Sequence, residues 1–154
     1  MLTPLEKIDM GKYYRTRTGI ILNKGRLDGS YEETMDVKYV EQFMDSLFEY
    51  INSCNNFSNM TDYFIKSQVM HFYLVYIHPY FDINGRTSRT MSMWYLLNNK
   101  SYPYIIFNRA INYEFPKYDE AIIEAKKLGE ITYFIKNIVR CKDFLYIFCL
   151  LCQN

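Results

Sequence analysis

The feature that most constrains the fold is the recurrence of apolar residues at steps of three and four along the chain. The clearest example runs from Val37 to Ile51, where the apolar residues on this spacing are Val37, Val40, Met44, Leu47, Phe48 and Ile51. Such spacing places apolar side chains on one face of an α-helix, which must then pack against another element. Asp36 or Thr34 stands ahead of the segment as its N-cap. The sequence therefore predicts an amphipathic helix here.

The same spacing predicts helices over much of the remaining chain. One runs from about Thr61 to Ile77, with Thr61 or Asp62 as its cap, and Pro79 stops it. Its inward face is predicted to carry Ile65, Val69, Phe72, Tyr73 and Tyr76. The next helix begins near Asn84 or Gly85, ends at Asn98 and Asn99, and is predicted to bury Met91, Trp94 and Tyr95. Further helices are predicted at 104–112, at 117–128 and at about 131–152.

One segment departs from the helical pattern. Between Tyr14 and Tyr31, three glycines punctuate short β-branched or apolar stretches such as Thr18 to Leu22. This pattern predicts a β-hairpin-like flap at about 14–31. Because the sequence has no internal repeat and no Pro- or Ser-rich linker, we predict a single all-α domain of residues 1–154. The predicted architecture is a helical bundle with a core at about 11–139 and a short flap.

Composition narrows the class of function. A hydrophobic fraction of 49% and a charged fraction of 23% are typical of a globular protein. The formal net charge of +1 gives no general attraction to nucleic acid or membranes, so a DNA-binding protein is the least favoured class. The first residues show no apolar run behind a basic start, and we expect a cytoplasmic protein. The 16 tyrosines and 11 phenylalanines are expected either to line a pocket or partner surface or to fill the core.

The spacing of the four cysteines indicates neither a disulfide framework nor a metal site. Cys149 and Cys152 make a CxxC pair, but no second pair or nearby histidine completes a tetrahedral zinc site. Buried, reduced thiols in a helix are the favoured interpretation. The apolar run from Phe144 to Cys152 is far shorter than the roughly 20 residues that span a bilayer, and it indicates a helix end or a partner-binding tip.

The segment from His78 to Arg89 combines residue types that suit phosphate chemistry. A turn at Asn84 and Gly85 at the start of a helix presents unpaired backbone N–H groups, and the helix dipole adds positive potential there. Arg86 and Arg89 are three residues apart, so they share a helical face where two guanidinium groups could bind neighbouring phosphate oxygens. The sequence thus indicates a local anion site.

Two residues of the same segment supply the remaining groups. Asp82 is a carboxylate beside the anion site, which is a usual way to hold Mg²⁺ next to a polyphosphate. His78, with an ordinary pKa of about 6.5, can accept a proton from a hydroxyl at neutral pH. Together these groups indicate attack of a hydroxyl on a nucleotide phosphorus. The residues alone leave a plainer interpretation open, in which His78 ends a helix and the arginines are solvated.

This segment resembles the signature of the Fic family, HPFx(D/E)GNGRxxR. The residues in register are His78, Pro79, Asp82, Asn84, Gly85, Arg86 and Arg89. The resemblance covers roughly residues 11 to 139 and implies a helical bundle in which the signature loop joins two central helices. It also implies a protein adenylyltransferase, which moves AMP from Mg-ATP to a Tyr, Thr or Ser hydroxyl of a target protein.

The resemblance implies a role for each matching residue. His78 would be the general base and Asp82 would hold Mg²⁺. The α- and β-phosphates of ATP would be bound by Asn84, the amide of Gly85 and Arg86, while Arg89 would reach the γ-phosphate. The flap would position the target through Ile20, Ile21 and Leu22.

Two residues depart from the signature: Tyr80 replaces its phenylalanine and Ile83 replaces its first glycine. If position 83 needs a positive φ, a β-branched residue there costs about 1 to 3 kcal/mol or displaces the loop. The similar Doc toxins, which phosphorylate their target, also lack this glycine. The alternatives to AMP transfer are therefore a Doc-like protein kinase, another nucleotidyl or phosphocholine transferase, and a catalytically impaired binding module.

A motif resembling the family's inhibitory helix is absent, because no Ser or Thr of this sequence is followed four residues later by Glu. In the family, such a glutamate pairs with the second arginine of the signature, here Arg89. The resemblance leaves two alternatives. Either the enzyme is competent without a trigger, or a separate antitoxin-like protein supplies the glutamate.

Overall fold

The computed structural model describes residues 13–22, 31–53, 57–100 and 115–140. Helices account for most of these residues: α1 (Val37–Asn52), α2 (Met60–Ile77), α3 (Asn84–Lys100), α4 (Phe115–Leu128) and α5 (Thr132–Arg140). Two short strands, β1 (Ile20–Leu22) and β2 (Tyr31–Glu33), precede them. The predicted helical fold class is confirmed. The helices α1 to α4 lie close to their predicted bounds, and α5 begins within a residue of its predicted start.

The N-termini of α1 and α2 are capped by side chains. Asp36 accepts a hydrogen bond from the Lys38 N–H at 3.1 Å, so one of its two predicted caps is correct. For α2 the predicted caps were wrong, because the cap is Asn59, whose Oδ1 accepts from the Asp62 N–H at 2.9 Å. Each cap satisfies a backbone donor that has no partner inside its helix.

The central helix of the described fold is α2, which contacts α1, α3 and α5. Of its predicted inward face, Phe72 is buried, whereas Ile65, Tyr73 and Tyr76 are each more than a third exposed, which corrects the prediction for those three residues. The side chains buried in their place include Phe64, Ser67, Gln68, Met70, His71, Leu74 and Ile77. A helix enclosed on several sides has no single apolar stripe, so three-and-four spacing cannot select its buried face.

Two apolar clusters lie on either side of this helix. The larger one joins α2, α3, α4 and α5 around Phe134, and the smaller one joins α1 to the end of α2 around Met44 and Ile77. In α3, Tyr95 is buried as predicted, whereas Trp94 is 57% exposed, which corrects the prediction that it packs inward. Both clusters meet at α2, so the residue that follows its last turn is held by the core.

A buried lysine ties α1 to α2. The Nζ atom of Lys66 donates to the carbonyl oxygen of Ser53, the C-cap of α1, at 2.8 Å. Aromatic rings surround the ammonium, with centroids 5.1 Å away for Tyr50, 5.7 Å for Phe57 and 5.9 Å for Tyr95. The carbonyl and the ring faces offset the cost of burying the charge.

The two strands pair antiparallel within the predicted flap segment, with Ile21 opposite Glu32. Beyond them, Gly19 and Thr34 exchange hydrogen bonds: the Thr34 N–H donates to the Gly19 oxygen at 3.0 Å, and the Gly19 N–H donates to Thr34 Oγ1 at 2.8 Å. The connection that would make these strands a hairpin, residues 23–30, lies outside the described residues. Their role as a target-positioning flap stays a prediction.

Several other predicted features fall on residues that the structure does not describe. These are the helix at 104–112, the end of the last helix beyond Arg140, and all four cysteines. Among the described helices, none is both long enough and apolar enough to cross a membrane.

Candidate active site

The candidate site begins where α2 ends, at His78. This residue is the C-cap of α2, and its N–H donates to the Leu74 oxygen at 3.1 Å. Its backbone is left-handed, with φ 51° and ψ 57°, which is uncommon for a residue other than glycine. Pro79 follows in a fully buried position and cannot continue the helix. The helix end therefore fixes the direction in which the loop departs.

The imidazole of His78 is half-buried and electrically unusual. Burial lowers its pKa from 6.5 to about 4, and the positive charges of Arg15 and Lys126 act in the same direction. Its Nδ1 atom is buried and has no hydrogen-bond partner among the described residues. The ring is therefore neutral at pH 7, the state in which an imidazole can accept a proton.

Asn84 closes the loop that follows. Its side chain accepts from the Tyr80 N–H at 2.8 Å and donates to the Tyr80 oxygen at 2.7 Å, so one amide satisfies both backbone groups of that residue. Asn84 is almost fully buried. The Tyr80 ring, half-buried, lies 6.4 Å from the ring of Tyr14 between centroids. The Asn84 amide is thus engaged within the loop, and the predicted contact with phosphate stays a prediction.

Position 83 does adopt a positive φ. Ile83 has φ 63°, and its side chain is 49% exposed. Its N–H donates to Oδ1 of Asp82 at 2.6 Å. A β-branched residue in this conformation is strained by about 1 to 3 kcal/mol. The strain expected from the loss of the signature glycine is present, and the loop keeps its turn in spite of it.

The loop leads into the N-terminus of α3. The first helical hydrogen bond there runs from the Thr87 N–H to the Ile83 oxygen at 2.9 Å. The N–H groups ahead of it, at Asn84, Gly85 and Arg86, therefore have no partner inside the helix. Together with the helix dipole they form a positive end suited to an anion. A Cβ atom at Gly85 would lie 3.4 Å from Nη1 of Arg89, so glycine leaves room for that guanidinium.

Asp82 and Arg86 lie at the mouth of this site. Both side chains are largely exposed, and Arg86 Nη2 is 3.9 Å from Asp82 Oδ2. No group of three potential metal ligands occurs among the described residues. A single exposed carboxylate nevertheless fits Mg²⁺ bound together with a polyphosphate, since that ion takes one or two carboxylates and completes its shell with phosphate oxygens and water.

Arg89 lies deeper than Arg86. It hydrogen-bonds to the hydroxyl of Tyr118 on α4, and that hydroxyl lies 2.7 Å from Nε2 of His71 on α2. Burial lowers the pKa of His71 to about 3, with the Arg89 charge as the second cause. The Nε2 atom of neutral His71 can accept a hydrogen bond from the Tyr118 hydroxyl, while the hydroxyl oxygen accepts a hydrogen bond from Arg89. His71 is thus a fully buried, packed histidine, and it supports a signature arginine through Tyr118.

A segment ahead of β1 contacts the other side of the loop. Arg15 is 3% exposed, and its Nε donates to the His78 oxygen at 2.8 Å, while its N–H donates to the Pro79 oxygen at 2.8 Å. The guanidinium of Arg17 lies 4.6 Å from the centroid of the Phe81 ring. These contacts could not be predicted from the sequence, because residue spacing carries no information on neighbours more than sixty positions apart.

A cavity of about 460 Å³ borders the last turn of α2, just ahead of His78 in the chain. It is bordered by the end of β2, the last turn of α2 and the last turns of α4, through Glu33, Thr34, Met35, Tyr76, Ile123, Lys126 and Lys127. Burial and the charge of Arg15 lower the pKa of His78 most, and the charge of Lys126 acts in the same direction.

Comparison with known proteins identifies the class. The chain is similar in fold to the crystal structure of a Fic family protein from Desulfovibrio desulfuricans, with a TM-score of 0.73 over 96% of this chain and 44% of that one, at 18% identity. Its sequence matches the model of the Fic/DOC family over residues 3–96. The chain therefore belongs to the Fic/DOC family.

Two curated relatives carry a more specific name. The protein adenylyltransferases Fic of Aedes aegypti and of Culex quinquefasciatus are each 34% identical to this chain over 73 residues. That match covers 47% of this chain and 14% of each relative. The chain thus spans only a small part of their length, and the matched part shows a transferase family rather than a particular reaction.

Proposed function

We propose that this protein is an adenylyltransferase that moves AMP from Mg-ATP to a Tyr, Thr or Ser hydroxyl of a target protein. The observation that carries the proposal is the loop between α2 and α3, which has the neutral imidazole of His78 at one end and the unpaired backbone N–H groups of a helix start at the other. The names of the mosquito relatives agree with it.

His78 is the proposed general base. It would take the proton of the target hydroxyl as the oxygen attacks the α-phosphorus, and pyrophosphate would leave. A base with a pKa of about 4 is weak in the free protein, because the effective range lies near the working pH. A bound triphosphate brings negative charge that favours the protonated ring. We therefore expect the pKa of His78 to rise when ATP binds.

The groups around the helix start would hold the donor. The N–H groups of Gly85 and Arg86, with the Arg86 guanidinium, would bind the α- and β-phosphates, and Arg89 would reach the γ-phosphate. Asp82 would hold Mg²⁺, which neutralises part of the charge that develops on the phosphate oxygens. β1 would offer its backbone to a target segment through residues Ile20 to Leu22.

The test is transfer of label from ATP. Wild-type protein incubated with Mg²⁺ and ATP labelled at the α-phosphate should become labelled, or should label proteins of a cell extract. His78→Ala should lose this labelling by at least about a hundredfold, since general-base catalysis contributes on that scale. Asn98→Ala, at an exposed position of α3, is the matched control and should label as wild type does. Equal labelling by His78→Ala would rule out the assigned base.

The same assay separates AMP transfer from its neighbours. Label passing only from the γ-phosphate would support a Doc-like kinase, a candidate that Ile83 favours because the Doc toxins also lack the glycine there. Label from neither position, with no heat of Mg-ATP binding in calorimetry, would support an impaired binding module. A separate antitoxin-like inhibitor is proposed as a partner, and its test is loss of labelling when its glutamate-bearing helix is added.

A further inference from the structure

The guanidinium of Arg15 lies where three segments of the backbone meet. Its Nε donates to the oxygen of His78, its Nη1 donates to the oxygen of Arg17 at 2.8 Å, and its Nη2 donates to the oxygen of Met35. The backbone N–H of Arg15 adds a bond to the Pro79 oxygen. One side chain thus joins the signature loop to the segments that flank β1 and β2.

The contact with His78 falls on a strained residue. His78 holds φ 51°, and a residue other than glycine persists there only when its surroundings enforce that conformation. The Leu74 oxygen holds its N–H from one side, and Arg15 holds its carbonyl from the other. The Tyr14 ring contacts the Tyr80 ring, and the Arg17 guanidinium lies over the Phe81 ring, so the segment before β1 also contacts the loop beyond Pro79.

We propose that Arg15 is a positioning residue for the transfer reaction, which holds the His78 backbone in its left-handed conformation and fixes the strand pair to the same loop. The expected effect of Arg15 on kcat rests on the proposed function, whereas its effect on the His78 backbone does not. Arg15 touches neither ATP nor the attacking hydroxyl in this scheme. It acts through the residue that does.

A second contribution of Arg15 is its charge. The charged groups that act on the His78 ring are Arg15, from the segment before β1, and Lys126, from α4. Both lower its pKa, after burial. Removing Arg15 removes one of these charges, so the pKa of His78 should rise in the variant. Replacing Arg15 by lysine keeps a charge but loses the planar fork that reaches three carbonyl oxygens.

The experiment compares Arg15→Met and Arg15→Lys with wild type and with Lys136→Met, which removes an exposed positive charge on α5. Each folded variant is assayed for kcat, for the KM of ATP and for the pH dependence of both. We expect Arg15→Met to lower kcat by about a hundredfold, as displacement of a reacting group by an ångström can, with little change in KM. Its acid limb should move to higher pH. Arg15→Lys should keep the acid limb and recover part of kcat.

An NMR titration tests the same proposal without catalysis. The protein has two histidines, so the His78 ring signals can be assigned by His71→Gln and followed from pH 7 downward. Arg15→Met should raise the His78 pKa and shift its backbone carbons away from left-handed values. If wild type transfers no label, the proposed function fails while this titration still decides the role of Arg15. Folded Arg15→Met with unchanged kcat, acid limb and His78 shifts would overturn the inference. If Arg15→Met does not fold, a wild-type kcat and wild-type His78 backbone shifts in Arg15→Lys would also overturn the inference.

Discussion

Ile83 shows how a single residue can carry stored strain at a site. It has a positive φ where the family signature has glycine, and its exposed side chain gains little from packing in return. The turn it occupies precedes the helix start that is proposed to bind phosphate. The loop therefore keeps its course because neighbouring contacts enforce it, among them the amide of Asn84 closing onto Tyr80.

Replacing Ile83 by glycine should stabilise the protein. The change relieves about 1 to 3 kcal/mol of strain, against roughly 0.5 to 1 kcal/mol for the greater freedom of glycine in the unfolded chain. We expect a net gain of about 1 kcal/mol in the free energy of unfolding, measured by urea denaturation. Ile65→Gly is the matched control, because Ile65 is similarly exposed but lies inside α2. That variant should lose stability, and a loss in both would show that position 83 is not strained.

At the scale of elements, Tyr118 connects three helices. Its hydroxyl on α4 lies between His71 of α2 and Arg89 of α3, so it holds a signature arginine against the core. The aromatic rings of His71, Tyr118 and Phe134 pack around the same point, with centroids 5.6 to 6.0 Å apart. Burial raises the pKa of the Tyr118 hydroxyl, which keeps it protonated and able to donate.

Tyr118→Phe should separate this connection from the packing of the ring. Loss of the hydroxyl leaves buried His71 without its 2.7 Å contact, which should cost about 1 to 3 kcal/mol of stability. Because Arg89 loses a partner, the KM for ATP should also rise. Tyr133→Phe, at an exposed position of α5, is the control and should change neither quantity. A normal melting temperature and KM in Tyr118→Phe would show that the hydroxyl does not support Arg89.

The elements also show what the sequence could predict. The α1 helix has one buried side, and its spacing marked Val40, Met44 and Leu47 correctly, whereas Phe48 on the same spacing is 40% exposed. The α2 helix is surrounded by other elements, so apolar residues occur all around it, and its spacing marked Phe72 correctly but Ile65 and Tyr76 wrongly. Its buried Ser67 and Gln68 are polar, so a pattern of apolar residues cannot mark them as buried.

At the scale of the whole molecule, folding holds both histidines in the neutral state. In the unfolded chain each would have a pKa near 6.5, whereas the folded values are about 3 for His71 and about 4 for His78. Between these values the unfolded chain binds more protons than the folded one. Stability from this source is therefore complete above pH 6.5 and falls as the pH drops toward the folded values.

Acidification should destabilise the protein through His71 in particular. At about pH 4.5 the shift of this fully buried ring accounts for a loss on the order of 3 kcal/mol. Urea denaturation at pH 7 and at about pH 4.5 should reveal the difference. In His71→Gln the loss between the two pH values should be smaller by a similar amount. An identical loss in that variant would assign the acid sensitivity to other groups.

The residues of the candidate site could be predicted from the sequence only in part. Residues from His78 to Arg89 could be grouped because they are adjacent in the chain, and the roles assigned to them stay predictions. Arg15, Tyr118 and Lys126 come from distant segments, and only the packing of the helices brings them to the loop. No periodicity or local motif encodes the contacts of these residues with the loop, because the contacts depend on how α4 and the segment before β1 pack against it.

The enclosure of Lys66 offers a way to watch this domain open. Its ammonium is covered by aromatic rings and bonded to the end of α1, so an amine-acylating reagent cannot reach it while α1 and α2 stay together. Exposed lysines such as Lys136 react at once. The rate of Lys66 acylation, measured by mass spectrometry of its peptide, would then report how often these two helices separate.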